Sequence, residues 1–251
     1  MSACLWDPAP NCPSLSKAQV HVWAASLGRS ASSLALMYDV LSLDERVRAE
    51  RFHFVQDREK YIMARGSLRN ILGRYLDVKP GEIRFTYNSH GKPALDLEFA
   101  ANQLKFNVSH STELALYAVT ADREIGVDIE HFRSSVVEED IAERFFSPGE
   151  VAVLRALPQQ VQVQAFFACW TRKEAYIKAR GQGLSIPLDQ FEVSLVPGQP
   201  ASLERVFTDP DEVHRWTVQD LAPAPEYAGA VCVGGRGWEL NCWRLPDGEQ
   251  V

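Results

Sequence analysis

Apolar and polar positions alternate along this chain in a repeated order of elements. A helical pattern, with apolar residues three and four apart, covers about 57–76. Strand-like segments follow at 83–87 (IRFTY), 104–110 (LKFNVSH) and 113–120 (ELALYAVT). A second helical stretch, about 160–180, precedes FEVSL (191–195), RWTVQDL (215–221) and YAGAVCV (227–233). Both runs read helix, strand, strand, strand, offset by roughly 105–113 residues. EIGVDIE (124–130) is the strand that opens the second run. Residue identity between the runs is low, so the duplication rests on element order. The expected fold is α+β, with two pseudo-symmetric α/β subdomains, 1–123 and 124–251. A ligand cleft is expected at their interface.

Where polar residues interrupt these patterns, candidate chemistry appears. In VDIEH, strand alternation puts Ile125, Val127 and Ile129 on one face and Asp128 and Glu130 on the other. The two carboxylates are then about 6–7 Å apart, able to share a hard divalent cation. A strand with one wet face explains the same pattern. In the second helix Val163, Phe166, Phe167, Trp170 and Ile177 form an apolar arc. Glu174 falls inside this arc and Lys178 at its edge. A surface i, i+4 ion pair is the common use of that spacing, but the helix phase turns Glu174 toward the core, where an unpaired charge is costly.

Ser109 and His110 end the strand FNVSHS. Adjacent strand residues point to opposite faces, so they form no nucleophile–base dyad, and phosphate contact suits them better. In the first helix Tyr61, Leu68, Ile71, Leu72 and Tyr75 form the arc, and Arg58, Arg65 and Arg69 line one edge. Glu59, Ser67, Asn70 and Arg74 occupy the opposite side. Edge arginines can clamp an anion or lie along apolar surface. Lys92 sits in a turn, GKP.

Composition adds bounds. Hydrophobic residues make up 46% and charged residues 24%, an ordinary globular mix. No run of roughly 18 apolar residues predicts a membrane helix, and no signal peptide is expected at the N-terminus. Five cysteines without a CxxC pair argue against a disulfide framework and a cysteine zinc site, and a cytoplasmic location is expected. Net charge is −7, yet residues 1–125 hold 15 of the 26 Lys+Arg and only 14 of the 33 Asp+Glu. Eight of those cations lie between Arg46 and Arg74. Such a local cluster on an acidic chain suits a small anion or an acidic partner better than nucleic acid.

Acidic positions for a metal, basic positions for phosphates and a Glu/Lys pair make an inventory for phosphoryl transfer or phosphodiester cleavage. No P-loop, Rossmann, Cys/His or GxSxG pattern is present. A metal-dependent nuclease and a non-catalytic carrier-protein-binding module are the competing readings. Net acidity and the lack of a broad basic, aromatic stripe disfavour the first. Buried-face carboxylates disfavour the second.

The ordered set GKP (91–93), FNVSHS (106–111), GVDIE (126–130), RFFSPGE (144–150) and WTRKEAYIKARGQGLSIPL (170–188) resembles the Sfp-type 4'-phosphopantetheinyl transferases. SLDERVRAERF…DREKYIMARGSLR (42–69) resembles that family's basic N-terminal segment. The resemblance covers roughly 42–195, and Glu45 stands where some members carry a basic residue. It implies a two-subdomain monomer that binds coenzyme A with Mg2+. It implies transfer of the phosphopantetheine arm to a serine of an apo acyl or peptidyl carrier protein, with release of 3',5'-ADP. The family's metal carboxylates fall on Asp128, Glu130 and Glu174. Its general base falls on Glu174, with a metal-bound water as the alternative. Lys178 and His110 contact the pyrophosphate, and Arg48, Arg65, Lys92 and Ser109 the nucleotide phosphates. No nucleic acid or membrane partner is implied. Carrier docking is expected on 131–146, where Val137, Ile141 and Phe145 share a helical face flanked by Arg133 and Arg144.

Overall fold

The computed structural model describes residues 5–28, 30–133, 135 and 140–246. The chain runs β1 (Trp6–Pro8), β2 (Gln19–Ser26), α1 (Ala31–Asp39), α2 (Leu43–Ala49) and α3 (Val55–Leu76). Next come β3 (Phe85–Tyr87), β4 (Pro93–Leu95), β5 (Leu104–Ser111), β6 (Leu114–Ala121) and β7 (Ile125–His131). Then follow α4 (Ile141–Phe145), α5 (Pro148–Ala156), α6 (Gln159–Arg180), β8 (Phe191–Val193) and β9 (Leu203–Val206). The remaining elements are α7 (Glu212–Arg215), β10 (Trp216–Leu221), β11 (Tyr227–Gly234) and β12 (Glu239–Arg244).

The two amphipathic stretches each become a 22-residue helix, α3 and α6. Both end where a residue enters the left-handed region. Asp77 does so at φ 54° and Gly181 at φ 68°, and each cap amide donates back to a last-turn carbonyl. RFFSPGE is a helix start. Ser147 and Glu150 form a reciprocal capping box around Pro148.

The halves share one topology. In the first, β2 pairs antiparallel with β6 and β6 with β5. In the second, β7 pairs antiparallel with β11 and β11 with β10. Thus β7 stands where β2 stands, α6 where α3 stands, and hairpin β8–β9 where β3–β4 stands. The symmetry breaks at the C-terminal end. β12 leaves the second half and pairs parallel with β2, and β1 pairs parallel with β12. The first sheet therefore has the order β1-β12-β2-β6-β5.

Strand alternation sorts the core into layers. Trp23, Tyr117 and Val119 face α3, joining Leu68, Ile71 and Leu72. Val22, Leu116 and Ala118 face the second sheet and meet Val127, Ile129 and Val231. A third layer, with Phe166, Phe167, Tyr176 and Phe191, lies under α6. β6 is buried on both faces, which explains its unbroken apolar run. No helix among the described residues is long and apolar enough to cross a membrane.

Ser67, opposite the apolar arc of α3, is buried because α1 packs on that side. Gly66 permits the crossing: a Cβ there would lie 2.7 Å from the Met37 Cβ. One expectation needs correction: the chain has a disulfide, at Cys242, while Cys12, Cys169 and Cys232 are free thiols.

His21 of β2 is 1% exposed. Trp23 Nε1 donates to the Tyr75 hydroxyl at 2.8 Å, and the same hydroxyl shares a hydrogen bond with His21 Nδ1 at 2.9 Å. Burial lowers the histidine pKa from 6.5 to about 4. Between those values the unfolded chain binds the extra proton, so stability is complete above pH 6.5 and falls as pH drops toward 4. The full loss is about 3 kcal/mol. Urea midpoints at pH 7 and pH 5 should show the decline, and His21→Gln, which keeps an acceptor but does not titrate, should flatten it.

Candidate active site

β5 and β7 are the facing edge strands of the two sheets. Alternate side chains of β5 bridge the gap. Asn107 Oδ1 accepts from the Val127 amide at 2.9 Å, Ser109 Oγ donates to Asp128 Oδ1 at 2.8 Å, and Ser111 Oγ donates to Glu130 Oε2 at 2.9 Å. α6 lies over this seam. Trp170, Glu174 and Lys178, four residues apart on its face, line a cavity of about 400 Å³ with Ser109, His110, Asp128 and Glu130. Lys178 Nζ donates to Asp128 Oδ1 at 2.5 Å and to Ser109 Oγ at 2.9 Å. The predicted metal carboxylates and the predicted Lys178, Ser109 and His110 are thus brought to one cavity.

Backbone proximity makes this possible. A Cβ on Gly126 would overlap the carbonyl oxygen of Ala175 and the amide nitrogen of Ala179. Glycine lets β7 lie directly on the backbone of α6, against the peptide that joins Lys178 to Ala179. This role carried no periodic signal, although the residue stands inside GVDIE.

The cavity holds three carboxylates and one ammonium ion, and its electrostatics reflect that imbalance. Glu174 is pushed up to about 7, first by burial and then by the charge of Asp128, against the pull of Lys178. Burial and Asp128 also raise Glu130, opposed by the Ser111 hydrogen bond. Asp128 is 3% exposed, so the wet-face reading of this strand fails. Its Oδ2 is buried without a hydrogen-bond partner among the described residues. A buried carboxylate oxygen with no donor is costly unless a cation meets it. Among the described residues no three His, Cys, Asp or Glu side chains stand, as placed, in a group that could hold a metal ion. A Mg2+ ion needs only one or two carboxylates and completes its shell with waters and substrate phosphates.

A second cavity, about 430 Å³, adjoins the first across Val108 and His110. Arg48, Lys60, Tyr61, Arg65 and Tyr87 line it. Partial desolvation and the charges of Lys178 and Lys60 lower the His110 pKa, so the ring is neutral near pH 7. Arg48 is exposed, lies over the Tyr61 ring and forms no salt bridge among the described residues. Arg65 is engaged: Nε donates to Glu45, Nη2 donates to the Tyr87 hydroxyl at 2.7 Å, and the guanidinium stacks 4.2 Å from the Phe85 centroid. Glu45, 2% exposed, also accepts from Arg69 Nε at 2.6 Å. Lys92 does not line either cavity. Its Nζ donates to the carbonyls of Lys178 at 2.8 Å and Ile125 at 3.1 Å, tying the GKP turn to the end of α6. Lys60, Tyr61, Tyr87 and Trp170 are lining residues that the sequence reading did not assign to the site. Only their place beside the assigned residues could have flagged them.

Of the expected docking stripe, Val137 lies outside the described residues. Ile141 packs against the core, whereas Phe145 is 38% exposed and stacks edge-on with Trp170 at the cavity rim.

A cluster of carboxylates beside a lysine, joined to a basic aromatic cavity, defines a site for moving a phosphoryl-linked group. Comparison with known proteins names the group. A 4'-phosphopantetheinyl transferase superfamily profile matches residues 124–232, and a 4'-phosphopantetheinyl transferase N-terminal profile matches 26–122. The chain is 42% identical to the 4'-phosphopantetheinyl transferase HetI of Nostoc sp. over 238 residues, 95% of this chain and 97% of that protein. It is 32% identical to the 4'-phosphopantetheinyl transferase Sfp of Bacillus subtilis over 193 residues, 76% of this chain and 81% of that one. It is 28% identical to the human L-aminoadipate-semialdehyde dehydrogenase-phosphopantetheinyl transferase over 244 residues, 91% of this chain and 76% of that protein. The chain belongs to the 4'-phosphopantetheinyl transferase superfamily. It is a transferase that moves the phosphopantetheine arm of coenzyme A to a carrier protein, not a nuclease or a non-catalytic module.

Gly126→Ala should destabilise the fold by about 3 kcal/mol through overpacking, lowering Tm by roughly 6–12 °C, and should depress transfer. Gly81→Ala is the control. Its Cβ would meet only the Val40 carbonyl, at 3.8 Å, so calorimetry should find a Tm close to that of the unsubstituted protein.

Proposed function

We propose that Asp128, Glu130 and Glu174 hold one Mg2+ ion and that the neighbouring cavity takes the nucleotide of coenzyme A. The observation that supports this most is the buried, unpartnered Oδ2 of Asp128 beside two carboxylates of raised pKa. The bound ion supplies positive charge against the pyrophosphate of coenzyme A. Lys178 adds a second positive charge at the leaving phosphate, and neutral His110 donates or accepts one hydrogen bond there. Glu174, half-buried on the cavity face of α6, takes the proton from the acceptor serine. The diphosphate bond breaks, the serine oxygen gains the phosphopantetheine, and 3',5'-ADP leaves. Arg48 and Arg65 hold the nucleotide phosphates, while Lys92 and Ser109 reach them by exchanging their present partners. We propose that 1–123 serves as the nucleotide-binding subdomain and 124–251 as the catalytic one, in a cytoplasmic monomer.

Incubation with coenzyme A, Mg2+ and an apo carrier, followed by weighing the carrier, should show the mass of one phosphopantetheine arm. EDTA should stop the gain and Mg2+ restore it. Asp128→Ala should cost at least about 10²–10³ in rate. Undiminished transfer by that variant in EDTA would overturn the metal assignment.

The carrier's acidic helix docks beside Phe145, with exposed Arg133 and Arg144 as its cationic flank. Arg133→Glu should raise the KM for carrier, leave that for coenzyme A unchanged and weaken the salt dependence. An unaltered carrier KM moves the docking surface elsewhere.

A further inference from the structure

Each carboxylate of β7 has its own serine on β5. Ser109 Oγ donates to Asp128 Oδ1 at 2.8 Å and Ser111 Oγ to Glu130 Oε2 at 2.9 Å. The pairs repeat at i, i+2 on facing edge strands, so strand geometry delivers both at once. Ser111 is the more tightly determined. Its hydroxyl also contacts the His131 amide at 3.1 Å. An amide can only donate, so the serine oxygen accepts there, and its single hydrogen is left for Glu130. The hydroxyl cannot rotate without losing a bond. It fixes Oε2 of Glu130, while Oε1 accepts no hydrogen bond among the described residues.

We infer that Ser111 is a positioning residue for cation binding. It orients Glu130 so that its unbonded oxygen serves the ion. The inference rests on the metal reading above. Partners one step removed from a metal typically change its affinity by about 10–100-fold.

The test uses the full chain and Mn2+ as a spectroscopic probe, without coenzyme A. Free Mn2+ is counted by electron paramagnetic resonance. Ser111→Thr keeps the hydroxyl, and Ser111→Val has the same shape without it, so the pair separates the hydrogen bond from packing. Ser111→Ala adds a second removal. Val and Ala should weaken Mn2+ binding by about 10–100-fold, and Thr should restore most of it. The cation concentration for half-maximal transfer should rise in step, with kcat at saturating cation largely kept. Equal Mn2+ affinity in the Val and Thr variants overturns the inference, even if both lose stability. Asp128→Asn tests the underlying reading separately. If it leaves Mn2+ binding intact, the metal reading itself fails. If it abolishes binding while Ser111→Val does not weaken it, only the role of Ser111 falls.

Discussion

The site depends on one close approach, that of the β7 backbone to the α6 backbone at Gly126. Side chains separate most packed strands and helices by about 10 Å. Here no Cβ intervenes, and the two chains meet at van der Waals distance. Asp128, two residues along β7, is thereby carried under Lys178, and Glu130 toward the turn that bears Glu174. Any side chain at 126 would lever strand and helix apart and widen the spacing on which a shared cation depends.

Electrostatic imbalance then becomes a property of the scaffold. Asp128 is held in place by Ser109 and Lys178, which together satisfy only its Oδ1. Its Oδ2 stays buried without a partner among the described residues. The fold thus concentrates negative charge where a cation and a polyphosphate can neutralise each other. Neighbouring charges of the same motifs do other work. Lys173, fully buried, pairs with Glu150 at 2.8 Å and donates to the Leu188 and Phe191 carbonyls. Arg172 forms a two-pronged pair with Asp220. In the run Arg172-Lys173-Glu174, helix geometry sends two charges into the frame of the second half and one into the site.

The halves use one topology for different ends. α3 and α6 have equal length and equivalent places, yet α3 presents Lys60 and Arg65 to a cavity where α6 presents a glutamate and a lysine. Glu45 sets the character of the first cavity by holding Arg65 and Arg69 together. The exposed Arg48, over the Tyr61 ring, adds a second guanidinium to its lining.

Local pattern by itself determined the long helices to within two residues, the strands read after each of them, the Gly181 cap and the faces that carry Asp128, Glu130 and Glu174. Those features repeat every two or 3.6 residues, or sit at fixed offsets, so neighbours in sequence report them. The third dimension decided what depends on partners far along the chain. β12 joins β2 across more than two hundred residues, and no period in either segment announces the other. Lys92 looks like a free turn lysine until the end of α6 arrives to take its ammonium group. Ser67 lies off the apolar arc of its helix, and only the packing of α1 shows that it is buried. Gly126 is silent in any hydrophobic pattern, because what matters there is the volume it lacks, and only packing measures that.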